Sequence, residues 1–275
     1  MVKILAAITT PFGADGGLDL DAFEAHVRWL DEEGLDGLFV AGTTGEGVLL
    51  EYDEVEALAE RAVAAAGSLR VIVQVGRPST QATAALARRA LDAGAHGVAA
   101  YVPWFYPVTP EQVRAHFLAF LEAAGGAPAY LYNIPPRTVN DLAPELAGEL
   151  ARAGFAGMKD STGDAERFVA YADAVRGADS FELYTGTEPQ LVAAARVGGA
   201  GSINGLSNCR PELFTALRSA LESGEGVEPL HEEISALKEQ VKSEDSTVLA
   251  IKRRVRERLA ERGVDYPVVA RAPFV

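Results

Sequence analysis

Eight short, nearly continuous apolar runs, separated by amphipathic stretches, follow one another along the chain. Continuous apolar runs are typical of parallel strands that are covered on both faces. The stretches between them carry apolar residues at helical spacing. Eight strand–helix units without a break in composition predict one closed (β/α)8 barrel, a TIM barrel. The predicted strands are residues 3–10, 37–42, 71–76, 97–103, 128–135, 154–161, 181–186 and 199–206.

An open, doubly wound sheet is the alternative fold. It would more often carry a glycine-rich dinucleotide loop after its first strand, and TTPFGADGG, residues 9–17, is not such a loop. Further helical patterns occupy residues from about 225 to 263, more than a minimal barrel needs. We therefore predict a (β/α)8 catalytic barrel over residues 1–223 and a C-terminal helical appendage over residues 224–275, packed on the barrel.

The charge balance excludes several classes of partner. The formal net charge is -14 and the pI about 4.8, so the surface repels phosphate backbones and anionic lipids. We expect neither a nucleic-acid nor a membrane partner. The single cysteine, Cys209, allows no intramolecular disulfide, which is typical of a cytoplasmic protein. The first residues do not fit a signal peptide, and the scattered histidines do not form a metal site.

One lysine stands out because it lies inside a predicted strand. Lys159 interrupts the sixth apolar run, GFAGMKDS, in a chain with five lysines and twenty arginines. Removal of a lysine from water favours the neutral amine, which can attack a carbonyl. If Lys159 points into the barrel, alternation directs Asp160 towards the helices. A structural role for Lys159 remains the alternative at this point. Three other lysines, Lys238, Lys242 and Lys252, are expected to face solvent in the helical tail.

Hydroxyl groups follow the neighbouring strands. Tyr132 lies in the fifth run, one strand before Lys159, and its hydroxyl can pass a proton. Tyr130 shares the predicted face of Tyr132 but lies deeper, where packing in the core is the simpler interpretation. The loop GTTGEG after the second run offers Thr43, Thr44 and backbone N–H groups that can bind a carboxylate. Each of these signals is weak when it is taken alone.

Taken together, these segments resemble one family. GTTGEG, YNIPPRT and GMKDSTGD occur in the order and spacing of the dihydrodipicolinate synthase / N-acetylneuraminate lyase family. The resemblance extends to the early TPF and to GGAGSINGLSN near the eighth run, and it covers essentially the whole chain. It implies a barrel enzyme that forms a Schiff base between a lysine and pyruvate, or a related 2-oxo acid, without a metal or organic cofactor.

The resemblance also implies roles for individual residues. Lys159 is the Schiff-base residue, since an arginine stays protonated and cannot serve as the nucleophile. Tyr132 is the proton-shuttling tyrosine, and Thr44 relays protons. Four further residues are expected to contact substrate: Thr43 at the pyruvate carboxylate, Gly186 and Ile203 in the pyruvate pocket, and Arg137 at the carboxylate of aspartate semialdehyde.

The second substrate is less clearly indicated. Arg137 in NIPPRT matches synthases that condense pyruvate with aspartate semialdehyde in lysine biosynthesis. The synthases usually place a tyrosine from a neighbouring subunit where this chain has Phe105, so either Tyr106 replaces it as a substrate-binding residue or the relay differs. The string FYP is more similar to aldolases that cleave 2-keto-3-deoxy sugar acids.

We therefore expect a 4-hydroxy-tetrahydrodipicolinate synthase, with a sugar-acid aldolase as the first alternative. A non-catalytic binding barrel is the second alternative, and it requires Lys159 to be structural. The resemblance further implies a homo-oligomer, either a dimer or a tetramer.

Overall fold

The computed structural model describes residues 1–178 and 180–274. Eight parallel strands form a closed barrel in chain order, which confirms the predicted fold and rules out the open, doubly wound alternative. The strands are β1 (Lys3–Ala6), β2 (Gly37–Val40), β3 (Arg70–Gln74), β4 (Gly97–Tyr101), β5 (Ala129–Asn133), β6 (Gly157–Asp160), β7 (Glu182–Thr185) and β8 (Gly201–Asn204).

Helices follow the strands. In chain order they are α1 (Leu20–Glu32), α2 (Tyr52–Ala65), α3 (Thr80–Asp92), α4 (Pro110–Ala123), the single turn α5 (Pro135–Thr138), α6 (Pro144–Arg152), α7 (Ala165–Ala174), α8 (Leu191–Arg196), α9 (Pro211–Ser223), α10 (Val227–Lys242) and α11 (Thr247–Ala260). No helix in the described ranges is long and apolar enough to cross a membrane.

Helix starts follow their capping residues. The Thr109 side chain accepts a hydrogen bond from the backbone N–H of Gln112, and the Gln112 side chain accepts one from the backbone N–H of Thr109. Pro110 is the first residue of α4. Ser79 caps α3 by accepting from the backbone N–H of Ala82. These bonds satisfy N–H groups that have no partner within the helix.

The chain divides into two compact units. The first contains residues 1–2 and 72–203, and the second contains residues 3–71 and 204–275. In the second unit, α10 packs on α9 and α11, and α11 packs on α1. The predicted division into a barrel of residues 1–223 and an appendage of residues 224–275 stays a prediction.

One expectation about the C-terminal helices is wrong. Lys242 is exposed, but Lys252 is completely buried in α11 beside the apolar residues Ile251 and Val255. Its ammonium is paired with the carboxylate of Glu46, which lies 206 positions earlier in the chain. A helical pattern cannot reveal a partner that is so distant in sequence.

Candidate active site

Lys159 lies in the middle of β6 and is only 5% exposed. It is in register with Tyr132 of β5 on one side and with Tyr184 of β7 on the other. Residues in register on neighbouring parallel strands point to the same face of a sheet. The lysine is therefore flanked by two buried tyrosines of one layer.

The Tyr132 ring lies against the lysine. The Nζ atom of Lys159 is 4.4 Å from the ring centroid of Tyr132. Tyr132 also stacks on Tyr101 of β4, with the ring centroids 4.7 Å apart and the planes 28° from parallel. Two aromatic contacts of this kind restrict the ring orientation of Tyr132. Sequence reasoning missed Tyr101, although counting alternate residues along the fourth run could have placed it on the inward face.

Gly186, directly after β7, leaves the space that the lysine side chain occupies. A Cβ atom at this position would lie 2.9 Å from Cε of Lys159 and 2.0 Å from Oγ of Ser161. The backbone N–H of Gly186 donates to the carbonyl of Asp160 at 2.6 Å, which extends the strand pairing by one step. The absence of a side chain at Gly186 therefore lets Lys159 and Ser161 lie close together.

Tyr130 belongs to the layer below. It is in register with Gly157, where a Cβ atom would lie 2.9 Å from the Tyr130 ring. Its hydroxyl donates to Oε2 of Glu182 at 2.8 Å, and the residue is 2% exposed. The interpretation of Tyr130 as a packed residue with a bonded hydroxyl is confirmed.

Asp160 lies on the helix side of β6, as alternation predicts. Its carboxylate accepts from the hydroxyl of Thr162 at 2.6 Å and, at 3.5 Å, from the amide of Asn133. That amide also donates to the hydroxyl of Tyr171 in α7, at 3.1 Å. Burial raises the pKa of Asp160, and the bonds from Thr162 and Asn133 oppose the shift. This polar cluster joins β5, β6 and α7 behind the lysine.

The predicted second-substrate residues lie in loops of the first unit. Arg137 is exposed in the single turn α5, directly after β5. Tyr106 and Phe105 follow β4 and are 70% and 67% exposed, with their ring centroids 4.9 Å apart. The buried Asn140 side chain donates to the carbonyl of Tyr106 at 2.8 Å and accepts from the N–H of Val108, so it joins the loops after β4 and β5.

The remaining predicted residues are distributed over both units. Ile203 is buried in β8, in the first unit. Thr43 and Thr44 are half-buried after β2, in the second unit. A Cβ atom at Gly205 would lie 3.2 Å from Oγ1 of Thr44, so the loop after β8 packs closely on this threonine. Of the predicted residues, Lys159, Tyr132 and Gly186 make direct contact, and the roles of all eight stay predictions.

Comparisons with known proteins identify the family. The sequence model of the dihydrodipicolinate synthetase family matches residues 1–275. A 4-hydroxy-tetrahydrodipicolinate synthase of Thiobacillus denitrificans is 37% identical over 242 residues, which are 84% of this chain and 80% of the relative.

Two solved structures are similar over nearly the whole chain. The first is a prophage protein of E. coli K12 from the dihydrodipicolinic acid synthase family, in complex with pyruvate. It is 26% identical, has a TM-score of 0.92, and is matched over 99% of this chain and 92% of its own. The second, KD(P)GA from T. tenax, is 29% identical with a TM-score of 0.88, over 99% and 92% of the two chains.

Proposed function

Because the chain belongs to the dihydrodipicolinate synthetase family, we propose that it is a lyase acting through a pyruvate Schiff base on Lys159. The observation that carries the proposal is the buried contact between Lys159 and the Tyr132 ring, at 4.4 Å from Nζ to the ring centroid. Imine chemistry needs an amine, a group that moves protons and space for the substrate. Lys159 supplies the amine, Tyr132 lies beside it, and Gly186 leaves space next to it.

The reaction starts at the amine of Lys159. Nζ attacks the ketone carbon of pyruvate and forms a carbinolamine, which loses water to give the imine. Loss of a methyl proton converts the imine into an enamine, and the enamine attacks the carbonyl carbon of an aldehyde. In this proposal Tyr132 and Thr44 move the protons, and Thr43 binds the pyruvate carboxylate. Gly186 and Ile203 line the pyruvate pocket.

We propose aspartate semialdehyde as the second substrate, with Arg137 at its carboxylate. A guanidinium can bind a carboxylate through two parallel hydrogen bonds. The T. denitrificans relative with the synthase name supports this choice. Cleavage of a sugar acid is the second candidate, and the observation that favours it is Phe105, which lacks the hydroxyl that synthases use at this position.

Borohydride reduction in the presence of pyruvate tests the reaction class. We expect a pyruvate-derived mass adduct that peptide mapping places on Lys159. The Lys159→Arg variant should give no adduct, whereas Lys242→Arg, which changes an exposed lysine, should give the wild-type amount. If wild-type protein gives no adduct with pyruvate or other 2-oxo acids, the non-catalytic alternative replaces this proposal.

Turnover assays with aspartate semialdehyde and with glyceraldehyde then identify the second substrate. Arg137→Gln should raise the KM for aspartate semialdehyde roughly tenfold, the effect of one lost charged hydrogen bond. The amount of pyruvate adduct should stay unchanged. Arg176→Gln, at an arginine that is 80% exposed, is the control. Turnover of glyceraldehyde alone would assign the chain to the sugar-acid aldolases.

We also propose that the chain works as a cytoplasmic homo-oligomer, either a dimer or a tetramer. The exposed side chains of Phe105, Tyr106 and Val139 support a contact between copies in this region. Sedimentation velocity tests the proposal, and a single species with the monomer mass of 29.1 kDa would contradict it.

A further inference from the structure

The turn after the two threonines contains a buried carboxylate that the reaction does not use. Glu46 is 1% exposed and has a backbone φ of +56°, in the left-handed region that few non-glycine residues adopt. Its N–H donates to the carbonyl of Thr43 at 3.2 Å, and the N–H of Gly47 donates to the carbonyl of Gly42 at 3.0 Å. The backbone geometry at Glu46 therefore affects the carbonyl of Thr43 directly.

The Glu46 side chain is bonded through both of its oxygens. Oε1 accepts from Nζ of Lys252 in α11 at 2.6 Å, and both side chains are completely buried. Oε2 accepts from the backbone N–H of Arg271 at 2.8 Å. Lys252 also donates to the carbonyl of Val269 at 2.5 Å. The threonine turn is thus joined to α11 and to the segment that contains Val269 and Arg271.

The side chains of Lys252 and Arg271 both lie against the ring of Phe12. Nζ of Lys252 is 4.7 Å, and the guanidinium carbon of Arg271 is 4.5 Å, from the ring centroid of Phe12. Arg271 also donates to both carboxylate oxygens of Glu54 in α2. Arg271 is therefore fixed in position by several directed contacts.

Stability alone does not account for this arrangement. A buried ion pair loses its hydration, so replacing it with apolar residues of similar size often leaves stability unchanged or increases it. An ion pair with directed hydrogen bonds fixes the positions of its partners, whereas an apolar pair does not. Here the fixed residue is Glu46, which lies three positions after Thr43 and two after Thr44 in the chain.

We propose that Glu46 and Lys252 are positioning residues, which hold Thr43 and Thr44 in the geometry that binds the 2-oxo acid carboxylate and relays protons. The inference rests on the proposed function, because it assigns the pair a role in the same reaction. Neither residue touches substrate in this scheme, since both act through the backbone of the turn.

The test compares half-saturating pyruvate concentrations for adduct formation on Lys159. In the double variant Glu46→Gln/Lys252→Met, no buried charge is left unpaired, and glutamine still accepts from the N–H of Arg271. We expect the variant to fold with a melting temperature lowered by roughly a few degrees, because the carbonyl of Val269 loses its bond from Lys252. The half-saturating pyruvate concentration should rise roughly tenfold or more, because misplacement of a binding group by about 1 Å has effects of that size.

Glu54→Gln is the matched control. It weakens another ion pair of the C-terminal segment, that with Arg271, but leaves the Glu46 contacts in place. It should leave the half-saturating pyruvate concentration unchanged. If the double variant does not fold, Glu46→Asp carries the test, because it keeps both charges of the pair but shortens the side chain by one methylene group. The half-saturating concentration should again rise.

The outcomes separate the two proposals. Wild-type protein without an adduct contradicts the proposed function itself. A wild-type adduct on Lys159, together with an unshifted half-saturating concentration in the folded variant, overturns only the positioning role of Glu46 and Lys252.

Discussion

Gly186 is the residue at which the smallest change has the most direct effect on Lys159. A methyl group added there would lie 2.9 Å from Cε of Lys159 and 2.0 Å from Oγ of Ser161. The hydroxyl of Ser161 can rotate away, but the lysine must move. We therefore predict that Gly186→Ala slows pyruvate adduct formation roughly tenfold or more, as measured by the time course of borohydride trapping.

Gly17→Ala provides the comparison for Gly186→Ala. Its added methyl group meets only the side chain of Asp15, at 3.3 Å, in the loop before α1. Trapping should proceed at the wild-type rate. An equally fast time course in Gly186→Ala would show that the lysine does not need the space.

Phe105 allows a second prediction at the residue scale. It has a backbone φ of +79°, which is rare for an aromatic residue, and it presents its side chain to solvent. If a hydroxyl is what this position lacks, Phe105→Tyr should raise turnover with aspartate semialdehyde severalfold, about the effect of one added hydrogen bond. Steady-state rates measure the effect, and no increase would indicate a different relay.

Tyr106→Phe is the companion experiment. The neighbouring hydroxyl is the alternative source of the proton, and its removal should lower turnover if it fills that role. Unchanged turnover would show that Tyr106 does not replace the missing group.

The role or position of a single residue can be predicted from the sequence in some cases and not in others. Lys159 was predictable because a lysine inside an apolar run is unusual in itself. Tyr101 was not singled out, because its significance comes from the ring of Tyr132 on the next strand. Lys252 was misplaced in solvent, because its partner Glu46 is far away in sequence. At this scale, the sequence did not predict contacts between segments that are distant in the chain.

At the scale of elements, α1 carries a histidine that should make stability depend on pH. His26 is fully buried, and its ring lies 5.8 Å from that of Trp29 and 5.4 Å from that of Tyr266. Burial lowers the pKa of His26 from 6.5 to about 3. The unfolded chain thus takes up a proton between these values that the folded chain does not. The stability is complete above pH 6.5 and is lost as the pH falls towards 3.

The matched variant is His26→Phe, which keeps a ring in place but cannot titrate. Between pH 6.5 and 4.5, wild-type protein should lose about 2 kcal/mol more unfolding free energy than the variant, at about 1.4 kcal/mol per pH unit. Urea unfolding at a series of pH values measures the difference. Parallel pH profiles would mean that His26 does not cause the loss.

Elements were more predictable than their ends. All eight strands lie within one residue of the apolar runs that predicted them, yet each strand is shorter than its run. The run at residues 3–10, for example, contains the four-residue strand Lys3–Ala6. Apolar residues mark what is buried, whereas a strand ends where the hydrogen-bonded ladder ends, and burial continues beyond that point.

At the scale of the whole molecule, the net charge of -14 acts on substrates that are themselves anions. Such a surface slows the approach of carboxylates, and salt screens it, because the Debye length falls from about 30 Å at 0.01 M to about 8 Å at 0.15 M ionic strength. We predict that kcat/KM for pyruvate rises about twofold over this range. A fall instead would mean that the local charge of Arg137 dominates.

The salt series needs a control for competition. Chloride and sulfate at equal ionic strength screen alike, but they differ as competitors for a carboxylate site. Superimposable profiles in the two salts would assign the change to screening.

The bond between Glu46 and Lys252 also affects the order in which contacts form during synthesis. The first compact unit contains the continuous segment 72–203, but the second joins residues 3–71 to residues 204–275. During synthesis, the threonine turn therefore leaves the ribosome some two hundred residues before its partners Lys252 and Arg271. A nascent chain that already carries Lys159 still lacks the contacts that fix this turn. On this account, the threonine turn acquires its fixed geometry only after Lys252 and Arg271 have been synthesised.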